Sequence, residues 1–311
     1  MESQKRQKSF RTLVVSDVHN RIIRAQSIID KVPHDKLVLT GDYFDGYGEG
    51  ADAEEYARNT AVWLKEKILY NPKAVALLGN HDAPYIWSNN IHFRCSGYTP
   101  YKSIAINDVL TSEDKSKFNV YHIDQNHVFS HAGLTSKLWK DYSSKFVEQG
   151  ETETKLEFFD RVMKVVSNEA IEAANSNNNV ELFGAGWDRG GYQRYGGINW
   201  VDWNTFGPVN GINQIVGHSI HRIPQVLLQH KHGGFVKQDV TEYYNLLNEI
   251  NKLDKPFSTE YLSVSYDLDT QSNHYAVVED GVVNIYDCSN DINLRDLNNY
   301  YIPNSELNSS F

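Results

Sequence analysis

Within its first 80 residues the chain alternates three apolar runs with two segments of helical period, and that alternation leaves few architectures open. Thr12-Leu13-Val14-Val15, Leu37-Val38-Leu39 and Ala74-Val75-Ala76-Leu77-Leu78 are short runs without polar alternation, as expected of strands buried on both faces. Between the first two, Ile22, Ile23, Ala25, Ile28, Ile29 and Val32 recur at roughly helical spacing until Pro33. Between the second and third, Tyr56, Ala57, Thr60, Ala61, Leu64 and Ile68 mark one face of a helix expected over Ala53 to Leu69, with Pro72 beyond it. Strand, helix, strand, helix, strand is the pattern of parallel βαβ units with right-handed crossovers.

Two later runs, His127-Val128-Phe129 and Gln214-Ile215-Val216, also read as buried strands, and Leu156 to Ala174 reads as a helix followed by a polar loop at Asn175 to Asn179. Thr241 to Leu253 is helical in pattern and Tyr261 to Leu268 is a strand. Tyr275 to Val278 and Val282 to Tyr286 flank Glu279-Asp280-Gly281, a hairpin signal. The expected class is α/β, a four-layer-type sandwich of two packed mixed β-sheets flanked by helices. One domain is expected over 12–290, after a basic tail at 1–11 holding Lys5, Arg6, Lys8 and Arg11, and before a C-terminal tail at 291–311. An irregular, aromatic insertion at about 84–124 is expected to form a cap. No internal repeat is found.

Each of the five buried runs ends on a polar block. These are Asp17-Val18-His19, Gly41-Asp42-Tyr43-Phe44-Asp45, Gly79-Asn80-His81-Asp82, Ser130-His131-Ala132-Gly133 and Gly217-His218-Ser219-Ile220-His221. In packed α/β sheets ligands gather outside the carboxyl ends of strands, so five such ends can converge on one site. Carboxylate oxygen, amide oxygen and imidazole nitrogen together suit divalent manganese, iron or zinc.

In this order the blocks resemble those of the calcineurin-like metallophosphoesterases. The closing blocks are most similar to the branch holding serine/threonine phosphoprotein phosphatases and the bacterial diadenosine-tetraphosphatase-like and polynucleotide-phosphatase-like enzymes. The resemblance covers residues 12 to about 222. It implies two divalent metal ions, expected to be manganese, with iron or zinc accepted by the same donors. It implies that Asp17, His19 and Asp42 hold the first ion, and that Asp42, Asn80, His131 and His218 hold the second. Asp42 would bridge them, and a water shared by the ions would be acidified enough to attack phosphorus in line with the leaving group. His81 is the expected catalytic proton donor, with Asp45 orienting its ring, and Asp82 is expected to tie down the loop backbone. Arg189, in Trp187-Asp188-Arg189-Gly190, resembles a phosphate clamp. Arg194 is a second candidate that reads equally well as a surface residue.

The sequence departs from the phosphoprotein phosphatases in two ways that bear on substrate. Gly46-Tyr47-Gly48 follows Asp45 where those enzymes carry a second phosphate-binding Arg, and Asp82 stands where they usually have Glu. Other branches use a second imidazole at the position of Ile220, so only His218 is carried over, and His221 is left open between substrate contact and structure. These departures favour a specialised phosphoesterase, and the acidic chain and the expected aromatic cap favour a nucleotide or other small phosphorylated compound as substrate. A phosphoprotein phosphatase is the alternative, and a non-catalytic metal-binding regulatory module is the third reading.

Composition narrows the setting. The 40 acidic against 30 basic residues give a formal charge of −10, which argues against an extended nucleic-acid surface but leaves room for a nucleotide held by metal ions. The N-terminal tail lacks the apolar stretch of a signal peptide, no run is long enough to span a bilayer, and two cysteines form no disulfide framework, so a cytoplasmic location is expected. Nothing in the sequence specifies an oligomeric state. Cys95 is not the nucleophile of a Cys-x5-Arg loop, because Tyr101 occupies the Arg position. Trp200, Trp203 and Phe206 read as packing, whereas Tyr85, Trp87 and Phe93 in the cap are expected to face a leaving group.

Overall fold

The computed structural model describes residues 9–146, 152–252 and 260–288. In chain order its strands and α-helices are β1 (Arg11–Val15), α1 (Ile22–Lys31), β2 (Lys36–Leu39), α2 (Ala53–Trp63), β3 (Ala74–Ala76), α3 (Ala83–Ile86), α4 (Pro100–Asn107), α5 (Ser112–Lys115), β4 (Tyr121–Asp124), β5 (His127–Ser130), α6 (Ser136–Ser143), α7 (Lys155–Asn175), β6 (Asn213–Val216), β7 (Gln225–His230), β8 (Phe235–Asp239), α8 (Val240–Lys252), β9 (Tyr261–Asp267), β10 (His274–Glu279) and β11 (Val282–Asp287). They build two mixed sheets, ordered β11-β10-β1-β2-β3 and β4-β5-β6-β9-β7-β8. β1, β2 and β3 are parallel, as are β5, β6 and β9, and the remaining pairs are antiparallel.

The two-residue period of a strand decides where each side chain goes. In the first sheet Val14, Val38, Ala276 and Val278 face inward and pack with Phe129, Ile215, Val226, Leu228, Val264 and Tyr266 of the second. Their neighbours Leu13, Val15, Leu37 and Leu39 turn outward, onto Ile22, Ala25 and Ile28 of α1 and Ala57, Ala61 and Trp63 of α2. Each of these valine, leucine and isoleucine side chains, fully buried, is worth about 1.5–3 kcal/mol. On the far face of the second sheet Val216 and Leu227 are covered by Val201, Trp203 and Phe206 from an irregular segment, and Trp203 and Phe206 stack with ring centroids 5.2 Å apart. The packing role expected of those two aromatics is therefore what the structure shows.

The helix expected over 53–69 is α2 continued by a π-helical turn at Leu64–Ile68. Two expectations fail. The stretch 84–124 is not irregular: it carries α4, capped by the Thr99 side chain, α5, with a Thr111–Asp114 capping box, and the edge strand β4. Tyr85, Trp87 and Phe93 are buried in the main core, Trp87 stacking on Phe183 at 5.0 Å, so they do not face a leaving group. Arg11, counted with the basic tail, opens β1 opposite Glu279. Lys5, Arg6 and Lys8, the tail at 291–311 and the last residue of the helix expected to reach Leu253 lie outside the described residues. Among the described residues no helix is long and apolar enough to cross a membrane.

Candidate metal centre

All five blocks lie at strand ends, and in three of them the chain turns so sharply that ordinary residues take left-handed backbone conformations. Asp17 and His19 have φ of 44°, Asp42 51°, Asp45 62° and His218 77°. Non-glycine residues rarely adopt such angles, and where they do they cluster at functional sites. Two glycines permit the close approach: a Cβ at Gly79 would overlap Asp42 Oδ1, and one at Gly217 would overlap Asp17 Oδ2.

Backbone hydrogen bonds then lock the turns together. His218 N donates to Asp17 Oδ1 at 3.1 Å, and His81 N donates to Asp42 Oδ1 at 2.8 Å. Asp82 behaves as expected, its two oxygens accepting the N–H groups of Asp42, Gly79 and Tyr43 at 2.8 Å. Burial, and after it the Asp42 charge, pushes the Asp82 carboxyl up to about 7 against these donors.

Six side chains meet in this frame as two groups sharing one member. Ligand atoms of Asp17, His19 and Asp42 lie within 4.8 Å of one another, and so do those of Asp42, His131 and His218. Asn80 joins the second group, with Oδ1 2.8 Å from His131 Nε2 and 2.9 Å from His218 Nδ1. Asp42 Oδ2 stands 3.6 Å from His19 Nε2 and 3.4 Å from His131 Nε2.

Hydrogen-bond accounting shows that cations fit here. His131 Nδ1 lies 2.9 Å from the Thr40 carbonyl, which can only accept, so Nδ1 carries the hydrogen and Nε2 is the lone-pair end of the neutral ring. That lone pair points at Asn80 Oδ1, another acceptor. With the Asn80 amide in this orientation, a proton or a metal ion between them relieves the conflict. His19 repeats the pattern, with Nδ1 3.1 Å from Phe44 O and 3.0 Å from Asp45 O and Nε2 turned toward Asp42. Fixing a ligating histidine through its other nitrogen is a common outer-shell device.

The electrostatics agree. Burial, followed by the nearby Asp269 charge, drives the Asp17 carboxyl well above the usual carboxylate range. Burial pulls His131 down, but the Asp42 charge and hydrogen bond, with Asp17 and the Thr40 carbonyl, together outweigh it and lift the imidazole to about 9, the mark of a position that favours positive charge. Burial, then His131 and Arg189, keeps His218 well below its usual range, leaving a neutral donor.

The structure also brings His81 and Asp45 together. His81 Nδ1 lies 3.2 Å from Asp45 Oδ2, and the ring stands 5.3 Å from that of His19. Burial lowers His81, but Asp42 and the Asp45 hydrogen bond more than offset this and hold it well above the usual imidazole range. Arg189 reaches the second group: its Nε pairs with Asp202 Oδ2 at 2.7 Å, its Nη2 donates to Ser219 Oγ at 3.1 Å, and its charge acts on His218. Arg194 is not brought in. It is exposed, with its guanidinium 5.3 Å over the Tyr195 ring, and among the described residues it makes no contact with the cluster. His221 is tied to the end of β9, its N donating to Asp269 O at 2.9 Å and Nε2 lying 3.3 Å from Asp267 Oδ2.

Three groups here escaped the sequence reading. Asp269, just past β9, is buried and acts electrostatically on Asp17, His19 and Asp42, and its Oδ2 has no hydrogen-bond partner among the described residues. It obeys the same rule as the five blocks, a polar residue closing an apolar strand, and could have been found by it. Lys102 of α4 is buried against Asp45 Oδ1, with Glu49 Oε2 3.3 Å from its Nζ, and Tyr85 OH donates to the same Asp45 oxygen at 2.5 Å. Lys102→Met is expected to destabilise the fold by about 3–5 kcal/mol, because two buried carboxylates lose their cation. A denaturant midpoint equal to that of the wild type would show that the network carries no such weight. Cys95 is the third group.

A sequence profile of the calcineurin-like phosphoesterase family matches residues 10–220. No curated protein matches the chain. Among solved structures, a metallophosphoesterase from Sphaerobacter thermophilus aligns over 97% of this chain and 98% of its own, with 12% identity and a TM-score of 0.39. A protein serine/threonine phosphatase from Saccharomyces cerevisiae, similar to human phosphatase PP5, aligns over 90% and 80% with 10% identity and a TM-score of 0.40. Because the profile spans more than half of the chain and includes all the clustered turns, the chain belongs to the calcineurin-like phosphoesterases and is a hydrolase of phosphoric ester bonds.

Proposed function

We propose that the chain is a dinuclear metal-dependent phosphoesterase acting on a nucleotide or other small phosphorylated compound. The observation that carries this reading is the membership of Asp42 in both ligand groups, which would let one carboxylate serve two neighbouring ions. Asp17 and His19 complete one ion's set, and Asn80, His131 and His218 the other's. Ions held there, expected to be manganese, would supply positive charge for phosphoryl oxygens and would acidify water near neutral pH. His81, held by its hydrogen bond to Asp45, donates a proton to the departing oxygen. Arg189, braced by Asp202 and Ser219, presents its guanidinium to the phosphate.

No second arginine follows Asp45; instead Tyr47, half-exposed, stands 5.4 Å from the His19 ring, and Trp200 meets His218 edge-on at 5.6 Å. Aromatic rings beside a phosphate site suit a nucleobase or sugar.

The test is hydrolysis by metal-stripped protein reloaded with manganese, iron or zinc. Aryl monoesters and diesters, 2′,3′-cyclic nucleotides, dinucleoside polyphosphates and phosphopeptides would be compared. Preference for phosphopeptides would overturn the small-substrate reading. Arg189→Ala is expected to lower kcat/KM by about 10²–10³, the cost of losing one charge-stabilising donor. Unchanged kcat and KM would remove Arg189 from the site.

A further inference from the structure

Cys95 belongs to none of the strand-end blocks, yet the fold delivers it to His81. Its Sγ lies 3.8 Å from His81 Nδ1 and 3.6 Å from the Asn80 carbonyl oxygen, while Asp45 Oδ2 is 3.2 Å from the same ring nitrogen. Ligand atoms of Asp45, His81 and Cys95 all fall within 4.8 Å of one another. Tetrahedral zinc, with bonds of about 2.0–2.3 Å to nitrogen, oxygen and sulfur, holds its donors about 3.3–3.6 Å apart. The His81 Nδ1 distances to Asp45 Oδ2 and Cys95 Sγ, 3.2 Å and 3.8 Å, bracket that spacing, so small side-chain shifts suffice to close the trio on an ion.

We propose that Asp45, His81 and Cys95 form a further metal site, selective for a thiophilic ion such as zinc, and that filling it shuts off turnover. Selectivity comes from the sulfur. A thiolate favours zinc or cadmium over manganese more strongly than the Asp, Asn and His groups of the main centre do. Charge also balances: one carboxylate and one thiolate match the dication, and Lys102, on the other Asp45 oxygen, is matched by Glu49. Access is open, because Cys95 is only partly buried and the His81 side chain is 16% exposed. As the ion enters, the Sγ and Nδ1 hydrogens leave as protons to solvent, while Nε2 keeps its own. His81 then no longer shares a proton with Asp45, and the ring loses the pairing that readies it to donate. The inhibition rests on the role proposed for His81; the binding does not.

The full chain, loaded with manganese, would be titrated with cadmium and followed by its ultraviolet thiolate-to-metal charge-transfer band. The band is expected to saturate at one ion per chain, to vanish in Cys95→Ser and to persist in Cys288→Ser. In parallel, zinc is expected to protect Cys95 of the wild-type protein from alkylation, read by peptide mass, which needs no variant to fold. Zinc should inhibit the wild type at concentrations at least about tenfold below those needed for Cys95→Ser, each measured against its own zinc-free rate. No band together with an unprotected Cys95 overturns the site. A saturating band with unchanged turnover overturns the inhibition. Absence of turnover with any phosphoester before zinc is added counts against the proposed function instead, and leaves the band and the alkylation as independent readouts.

Discussion

Asp42→Asn is expected to empty the centre and abolish turnover while leaving the fold intact. The substitution keeps the shape of the side chain but replaces one oxygen by an amide NH2 and removes the only charge common to both ligand groups. Asp42 Oδ1 accepts the His81 N–H, and Oδ2 faces His19 and His131. Whichever way the amide settles, a donor points at one of these, or at an ion. Losing an outer partner of a ligand costs about 10–100-fold in metal affinity, and losing a bridge must exceed that for both ions. Elemental analysis after dialysis and kcat on an aryl phosphate check this together. Wild-type metal content in the variant would sink the bridging role.

His81→Ala separates metal binding from chemistry. The ring is no member of the two ligand groups that share Asp42, so both ions are expected to remain. kcat should fall by about 10²–10⁴, the usual weight of a positioned general acid. The fall should be smallest for esters whose leaving group is already acidic and needs little protonation. An equal fall across leaving groups, or loss of metal, would assign His81 a structural task instead.

Much of the centre was legible because its residues obey two rules that act within a few positions of sequence. Apolar runs become buried strands, and the polar residue that closes one sits at the rim of the sheet. That logic places Asp17, Asp42, Asn80, His131 and His218, and applied once more after Tyr261 to Leu268 it would have reached Asp269. The Asp280-Gly281 turn was legible for a similar reason, since φ of 52° and 80° suit the tight hairpin. Gln125 and Asn126 make an equivalent turn with φ of 46° and 62°, but lack the glycine that signals it, so β4 was missed. Lys102 and Cys95 left no trace of either kind. Their positions depend on how α4 and its preceding loop fold back beside α2, a tertiary fact with no period. Aromatic density does not separate core from surface: Tyr85, Trp87 and Phe93 are core residues, packed against partners distant in sequence. Arg194 fell to the same limit: a loop residue two or five positions along can face either way.

The strand order carries a practical consequence for anyone who would trim this protein to its recognisable part. The stretch that identifies the family ends at residue 220, but β10 is hydrogen-bonded to β1, and β9 lies between β6 and β7. A fragment stopping there would leave the strands that carry Asp17 and His218 each with a naked edge, open to pairing with another copy. Such a fragment should be recovered as aggregate, however complete its catalytic signature reads. Recognition and foldability have different boundaries in this chain.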